Sequence, residues 1–170
     1  STFRDAGERA RALGRADLLA QAALGFAGRT ERGSPDTEMR LLLEEALETL
    51  GEERPELRAR LLSYLMGTPP YNDSVETRLE LSREAVELAR GSGDRHALLW
   101  AIASRCWAMP GPDHVEPRLE LALELMEMAE KERAPELRLM SLESQFRSHL
   151  ALGDADAVER VTEDYDSLAR

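Results

Sequence analysis

Residues 73–81 read DSVETRLEL and residues 113–121 read DHVEPRLEL, so seven of nine positions are identical at an offset of forty. The match continues through Glu84/Glu124, Glu87/Glu127 and Ala89/Ala129. A second echo, PELR, stands at 55–58 and again at 135–138, twice that offset apart. An earlier copy starts near Thr37, where EMRLLLEEALETL (38–50) resembles ETRLELSREAVEL (76–88) at a shift of 38. Short motifs that obey one period of 20–50 residues mark an array of stacked structural units. Arg78 and Arg118 are therefore expected at equivalent places in successive copies, as are Leu79 and Leu119.

Each copy reads as helix. Leu79, Leu81, Ala85, Val86, Leu88 and Ala89 fall mostly three and four apart, with Glu and Arg between them. That spacing puts the apolar side chains on one helical face. Leu119, Leu123, Met126 and Ala129 repeat it. Asp73 with Glu76, and Asp113 with Glu116, have the form of capping boxes. Ser34-Pro35 has the form of a cap followed by a proline in the first turn. Gly51, Gly67, Gly91, Gly93, Gly111 and Gly153 mark stops. Eight helices are predicted, at 5–28, 36–50, 55–66, 75–91, 94–109, 115–132, 135–152 and 154–169. Short connections make neighbours antiparallel, and such pairs bury their apolar faces only by stacking. The expected fold is all-α: antiparallel helix pairs stacked as a right-handed superhelix, one domain over 1–170, cut from a longer array.

The composition agrees. Ala, Leu, Arg and Glu are strong helix formers and dominate the chain, and aromatic residues make up only 5%. The formal net charge of −11 argues against direct nucleic-acid binding and against an anionic membrane surface. No apolar run reaches membrane-spanning length, and Ser1–Ala10 lacks the apolar core of a signal peptide. Asn72-Asp73-Ser74 fits a glycosylation sequon and reads as chance in this context. One cysteine, Cys106, excludes an internal disulfide and suits a reducing compartment such as the cytoplasm.

LLEEALETLG (42–51), LSREAVELARGSGD (81–94) and LALGDADAVERV (150–161) resemble tetratricopeptide repeats, with an LGD-x-x-A turn and an Ala near the end of the helix. The usual period there is about 34 residues, so copies near forty are longer and degenerate. Such copies resemble the C-terminal helical region of bacterial signal-transduction ATPases and transcription regulators of the MalT and LuxR type. Richness in Arg, Ala, Leu and Glu suits a high-GC bacterium. The resemblance implies a non-catalytic domain that binds a protein, a peptide or a small-molecule effector. The other reading is a peptide-binding adaptor unrelated to transcription. The chain has no G-x-x-x-x-G-K-[ST] loop and no basic recognition helix, so ATP and DNA would belong to other parts of such a regulator.

Candidate chemistry is sparse. His96, His114, His149 and Cys106 lack the tight spacing of a zinc site, and neither a metal nor another cofactor is expected. Cys106 could act as a nucleophile beside a histidine, against the commoner state of a small buried thiol. Glu44/Glu45 and Glu52/Glu53 alternate with arginine as on a solvated helix face. Gly91-Ser92-Gly93 follows a helix rather than a strand and reads as a stop. Trp100 and Trp107 stand two turns apart on one helix, either filling a layer between pairs or facing a groove. Arg58, Arg105, Arg138 and Arg147 lie on the same class of helix. In a tetratricopeptide stack the first helix of each pair lines the groove, where arginine can grip carboxylates or phosphates. These six residues are the candidate binding set; the plainer reading pairs the arginines with glutamate. At the ends, Val158, Val161, Tyr165 and Leu168 are expected to lack part of their cover, which predicts self-association through a terminal helix as a two-fold dimer.

Overall fold

The computed structural model describes residues 2–28, 37–66 and 74–169. Among these residues there is helix and no strand. The order is α1 (Thr2–Ala12), α2 (Ala16–Ala27), α3 (Thr37–Leu50), α4 (Pro55–Leu65), α5 (Val75–Ser92), α6 (Arg95–Ala108), a 3-10 turn (Pro112–His114), α7 (Val115–Lys131), α8 (Pro135–Leu152) and α9 (Ala155–Ala169). The packing divides into two compact units, 1–101 and 102–170, with the boundary inside α6.

In the first unit α1 packs on α2, α2 on α3 and α4, α3 on α4, and α4 on α5. Leu19, Ala23, Leu43, Ala46 and Leu61 form the centre of its core. Two ion pairs run between α1 and α3, Arg4 to Glu38 and Arg11 to Glu45 at 2.6 Å, and both span 34 residues. In the second unit α7 packs on α8 and α8 on α9. Its buried α8 face is small and polar. The Ser141 hydroxyl donates to the Ala122 carbonyl across the α7–α8 contact, Gln145 donates to Ser141, and Ser144 and Ser148 donate within their own helix. Small side chains with satisfied hydroxyls let two helices approach closely without leaving a polar group unpaired.

Several helix starts stand forty residues apart. α4, α6 and α8 begin at Pro55, Arg95 and Pro135, and α5, α7 and α9 at Val75, Val115 and Ala155. Burial repeats as well. From 81–90 to 121–130 nine of ten positions keep the same class of exposure; Ser82/Ala122, Ala85/Leu125 and Ala89/Ala129 are buried in both. Leu79 and Leu119 are both half-buried, whereas Arg118 is buried and Arg78 half-buried.

Expectations about helix ends need correction. The helix predicted over 5–28 is two helices. Gly14 (φ 62°) closes α1 in the left-handed region, with Gly14 N–H on the Arg11 carbonyl and Arg15 N–H on the Ala10 carbonyl. That is a Schellman ending, which glycine enters without a Cβ clash. Ser74 caps α5, its hydroxyl accepting from Thr77 N–H at 3.1 Å; Asp73, like Ser34-Pro35 and Gly67, lies outside the described residues. Asp113 caps nothing, because a 3-10 turn occupies Pro112–His114 and α7 starts without a side-chain cap. The real side-chain caps of α6 and α9 are Asp94, accepting from Ala97 N–H, and Asp154, accepting from Ala157 N–H.

Candidate functional site

Two of the six candidate residues are tied up in ion pairs, as the plainer reading expects. Arg58, on α4, meets Glu84 of α5 at 2.8 Å and also donates to the Gly51 carbonyl. Arg138, at the start of α8, lies 3.8 Å from Glu130 of α7. Both fasten one helix to its neighbour. Trp100 is half-buried in the first unit. Its ring stacks on Tyr64 with centroids 5.8 Å apart, and its indole N–H donates to His96 Nε2 at 3.2 Å. Arg105 is half-buried on α6.

Trp107 and Arg147 do come together, in the second unit. The Arg147 guanidinium carbon lies 5.5 Å from the Trp107 ring centroid, a cation–π contact. Trp107 is 54% exposed, so this aromatic is not core filling. Arg147 also donates to the Cys106 carbonyl at 3.1 Å, and its Nε is buried with no acceptor.

Beside this pair stands a residue that the sequence reading left out of the set. Arg118 of α7 is 4% exposed. Its Nε donates to the Ser148 hydroxyl at 3.0 Å and its Nη1 to the Met109 carbonyl at 2.9 Å. Burial first, and then the positive charge of Arg147, push the Arg118 guanidinium below its ordinary value. Cys106 and Met109 belong to the last turn and immediate exit of α6. Pro110 follows, so the chain there is short of a backbone donor for the freed carbonyls. The two arginines supply those donors and place cations at the negative end of the helix. A sequence signal for Arg118 existed only in the repeat, which aligns it with Arg78 on the edge of an apolar face.

Cys106 is fully buried in this region. Burial pushes its thiol up to about 12 despite the nearby Arg147, Arg118 and Arg105. It is a neutral core thiol at pH 7 and not an activated nucleophile. Among the described residues no three of His, Cys, Asp and Glu are grouped to hold a metal ion, and no helix is long and apolar enough to cross a membrane.

Among the described residues, open surface pockets lie on both units. One, of about 190 Å³, is bounded by the Arg4–Glu38 and Arg11–Glu45 pairs with Phe26 and Leu41. The other, of about 230 Å³, is apolar and lies between α8 and α9, lined by Leu142, Phe146, Val161 and Tyr165. Val161 is already buried at 7% exposure and Val158 is half-buried, so α8 covers more of α9 than the sequence reading expected. Tyr165, Phe146, Leu150 and Leu152 remain exposed. No protein-family model matches the chain, and no curated protein matches it.

Proposed function

We propose that this chain is a tetratricopeptide-like superhelical array that works by binding, as the non-catalytic protein-interaction or effector-sensing part of a bacterial transcription regulator in the cytoplasm. The observation that carries the reading is a contact between equivalent positions. Trp107 stands twelve residues after Arg95, and Arg147 twelve after Pro135, yet their side chains touch. Stacking by translation sets equivalent positions of successive first helices side by side. Three further observations support it: helix starts forty residues apart, burial that repeats at the same offset, and paired contacts 34 residues apart between α1 and α3.

On this reading α4, α6 and α8 are first helices of their pairs, and in the second unit the end of α6 and α8 present the binding surface. Trp107 and Arg147 are its most available anchors, because an exposed aromatic beside a cation suits recognition. The regulator assignment rests on the LGD-x-x-A turn and the long, degenerate period. Quantitative capture of bacterial proteins on the full chain tests it, using Trp107→Ala on a first helix and Leu123→Ala on a second helix. A partner held by the Leu123→Ala chain and released by Trp107→Ala supports the reading. A partner that leaves with Leu123→Ala and stays with Trp107→Ala refutes it. Self-association through the apolar surface of α8 and α9 belongs to the same proposal; light scattering that stays strictly monomeric across a concentration series would remove it.

A further inference from the structure

The end of α6 holds more positive charge than the protein around it neutralises. Arg118 and Arg147 together carry ten N–H donors by the chemistry of the guanidinium group. The acceptors they meet are the Ser148 hydroxyl and the Met109 and Cys106 carbonyls. All three are neutral. The carbonyl end of a helix offers roughly half a negative charge against two full positive ones. Cys106 adds none, since its thiol stays protonated. Yet the chain has 33 acidic residues and spends many on arginines, including Arg4, Arg11, Arg58 and Arg138. Among the described residues neither Arg118 nor Arg147 has a carboxylate partner. Buried charges in proteins are normally paired, because an uncompensated one bears its full desolvation cost.

The geometry is that of a place waiting for an acceptor. Arg118 is 4% exposed and held in position by two hydrogen bonds. The buried Nε of Arg147 has no acceptor. Three elements, the end of α6, α7 and α8, fix these groups, so the guanidiniums are preorganised. The way in lies at Trp107, exposed and 5.5 Å from the Arg147 guanidinium.

We propose that Arg118 and Arg147 form an oxyanion site, suited to a phosphate group, at the C-terminal end of α6, with the exposed Trp107 indole as its wall. Two guanidiniums match the double charge of a phosphate monoester better than the single charge of a carboxylate, and arginine's planar fork fits phosphate oxygens in pairs. The inference concerns the second unit alone and does not depend on the repeat reading. It assigns the exposed tryptophan a role that packing does not explain.

The test is a titration of the full chain, labelled with 15N, at pH 7. The Nε–H resonance of Arg147 is followed as sodium phosphate replaces sodium chloride at constant ionic strength. A saturable shift of that resonance with phosphate, absent with chloride, is expected. Arg147→Gln should weaken phosphate binding by about tenfold or more, the loss of a charge-assisted bond, and Arg83→Gln, on an exposed face, should leave it unchanged. Glycerol phosphate in a parallel titration separates the sources: tighter binding than inorganic phosphate indicates a phosphate carried on a larger ligand, and equal binding the free ion. Either upholds the site. An Arg147 Nε–H that responds alike to phosphate and chloride overturns the proposal, and so does Arg147→Gln binding like the unaltered chain. The resonance is read in the unaltered protein, so the test stands even if Arg147→Gln fails to fold.

Discussion

Replacing Arg133 by glycine should stabilise this protein. Arg133 follows α7 with φ 53°, and it is the only non-glycine at positive φ among the described residues. Its N–H bonds to the Glu130 carbonyl at 3.1 Å and the N–H of Ala134 to the Ala129 carbonyl at 2.9 Å. Gly153 ends α8 in the same way, at φ 71°, with Gly153 N–H on Leu150 and Asp154 N–H on His149. The two endings share one geometry, and only one has the residue that fits it. The left-handed conformation costs an L-residue about 1–2 kcal/mol, and glycine's freer unfolded chain takes back roughly 0.5–1 kcal/mol. Losing a cation near the helix end subtracts about 0.3 kcal/mol more. The Arg133 side chain is exposed, so little packing is lost. The net expectation for Arg133→Gly is a gain of about 0.5 kcal/mol. Arg133→Ala keeps the backbone cost and removes the charge, so it should fall below the unaltered chain. The difference between the two variants isolates the backbone term, at about 1 kcal/mol. Urea unfolding with a common slope measures both. Equal midpoints for the glycine and alanine variants would refute the reasoning.

Leu125→Ala should cost about 2–5 kcal/mol, because that side chain is fully buried beneath α8; a urea midpoint within error of the unaltered chain would contradict the core assignment. The Arg11 bond holds Glu45 below its ordinary 4.5, and its folded-state stabilisation is present above that value and lost as pH falls through the depressed one. Both side chains are around 40% exposed, so Glu45→Gln should cost only about 0.5 kcal/mol at pH 7 and nothing near pH 2; a difference that persists in acid counts against the pairing. Cys106, fully buried with its thiol pushed up to about 12, should resist a disulfide reagent at pH 8 until urea unfolds the chain; rapid stoichiometric labelling of the native protein would show the placement wrong.

Most helices were legible because amphipathic spacing is local, and local spacing survives into burial. α4 and α8 each start on the proline of PELR, where the missing N–H costs nothing. The break after α1 has no signal in apolar spacing, because an apolar residue, Leu13, stands at the boundary; it is 69% exposed and belongs to the turn. The ending at Arg133 was invisible for the opposite reason, since a glycine-shaped position there carries arginine. Candidate binding residues were legible by type and not by role. Glu84 reaches Arg58 from 26 positions away, a pairing that depends on how α4 meets α5. Arg118 sits in EPRLEL, a stretch that looks like solvated helix, yet it turns inward to the exit of α6.

The repeat explains what it copies and what it leaves free. Within 81–90 and 121–130 the positions buried in both copies are small or apolar: Ser82/Ala122, Ala85/Leu125, Ala89/Ala129. They fix how one helix meets the next, and any side chain of suitable volume serves. The chemistry changes where the copies differ. Trp107 on α6 and Arg147 on α8 stand forty residues apart, and a ring against a cation makes a contact that two copies of either residue could not make. Phe146 stands forty residues after Cys106, and the thiol is buried while the ring is at the surface. A period found in a sequence therefore locates the scaffold, and the breaks in that period are where a ligand should be sought. At the end of α6 several such breaks coincide, and there the uncompensated charge lies.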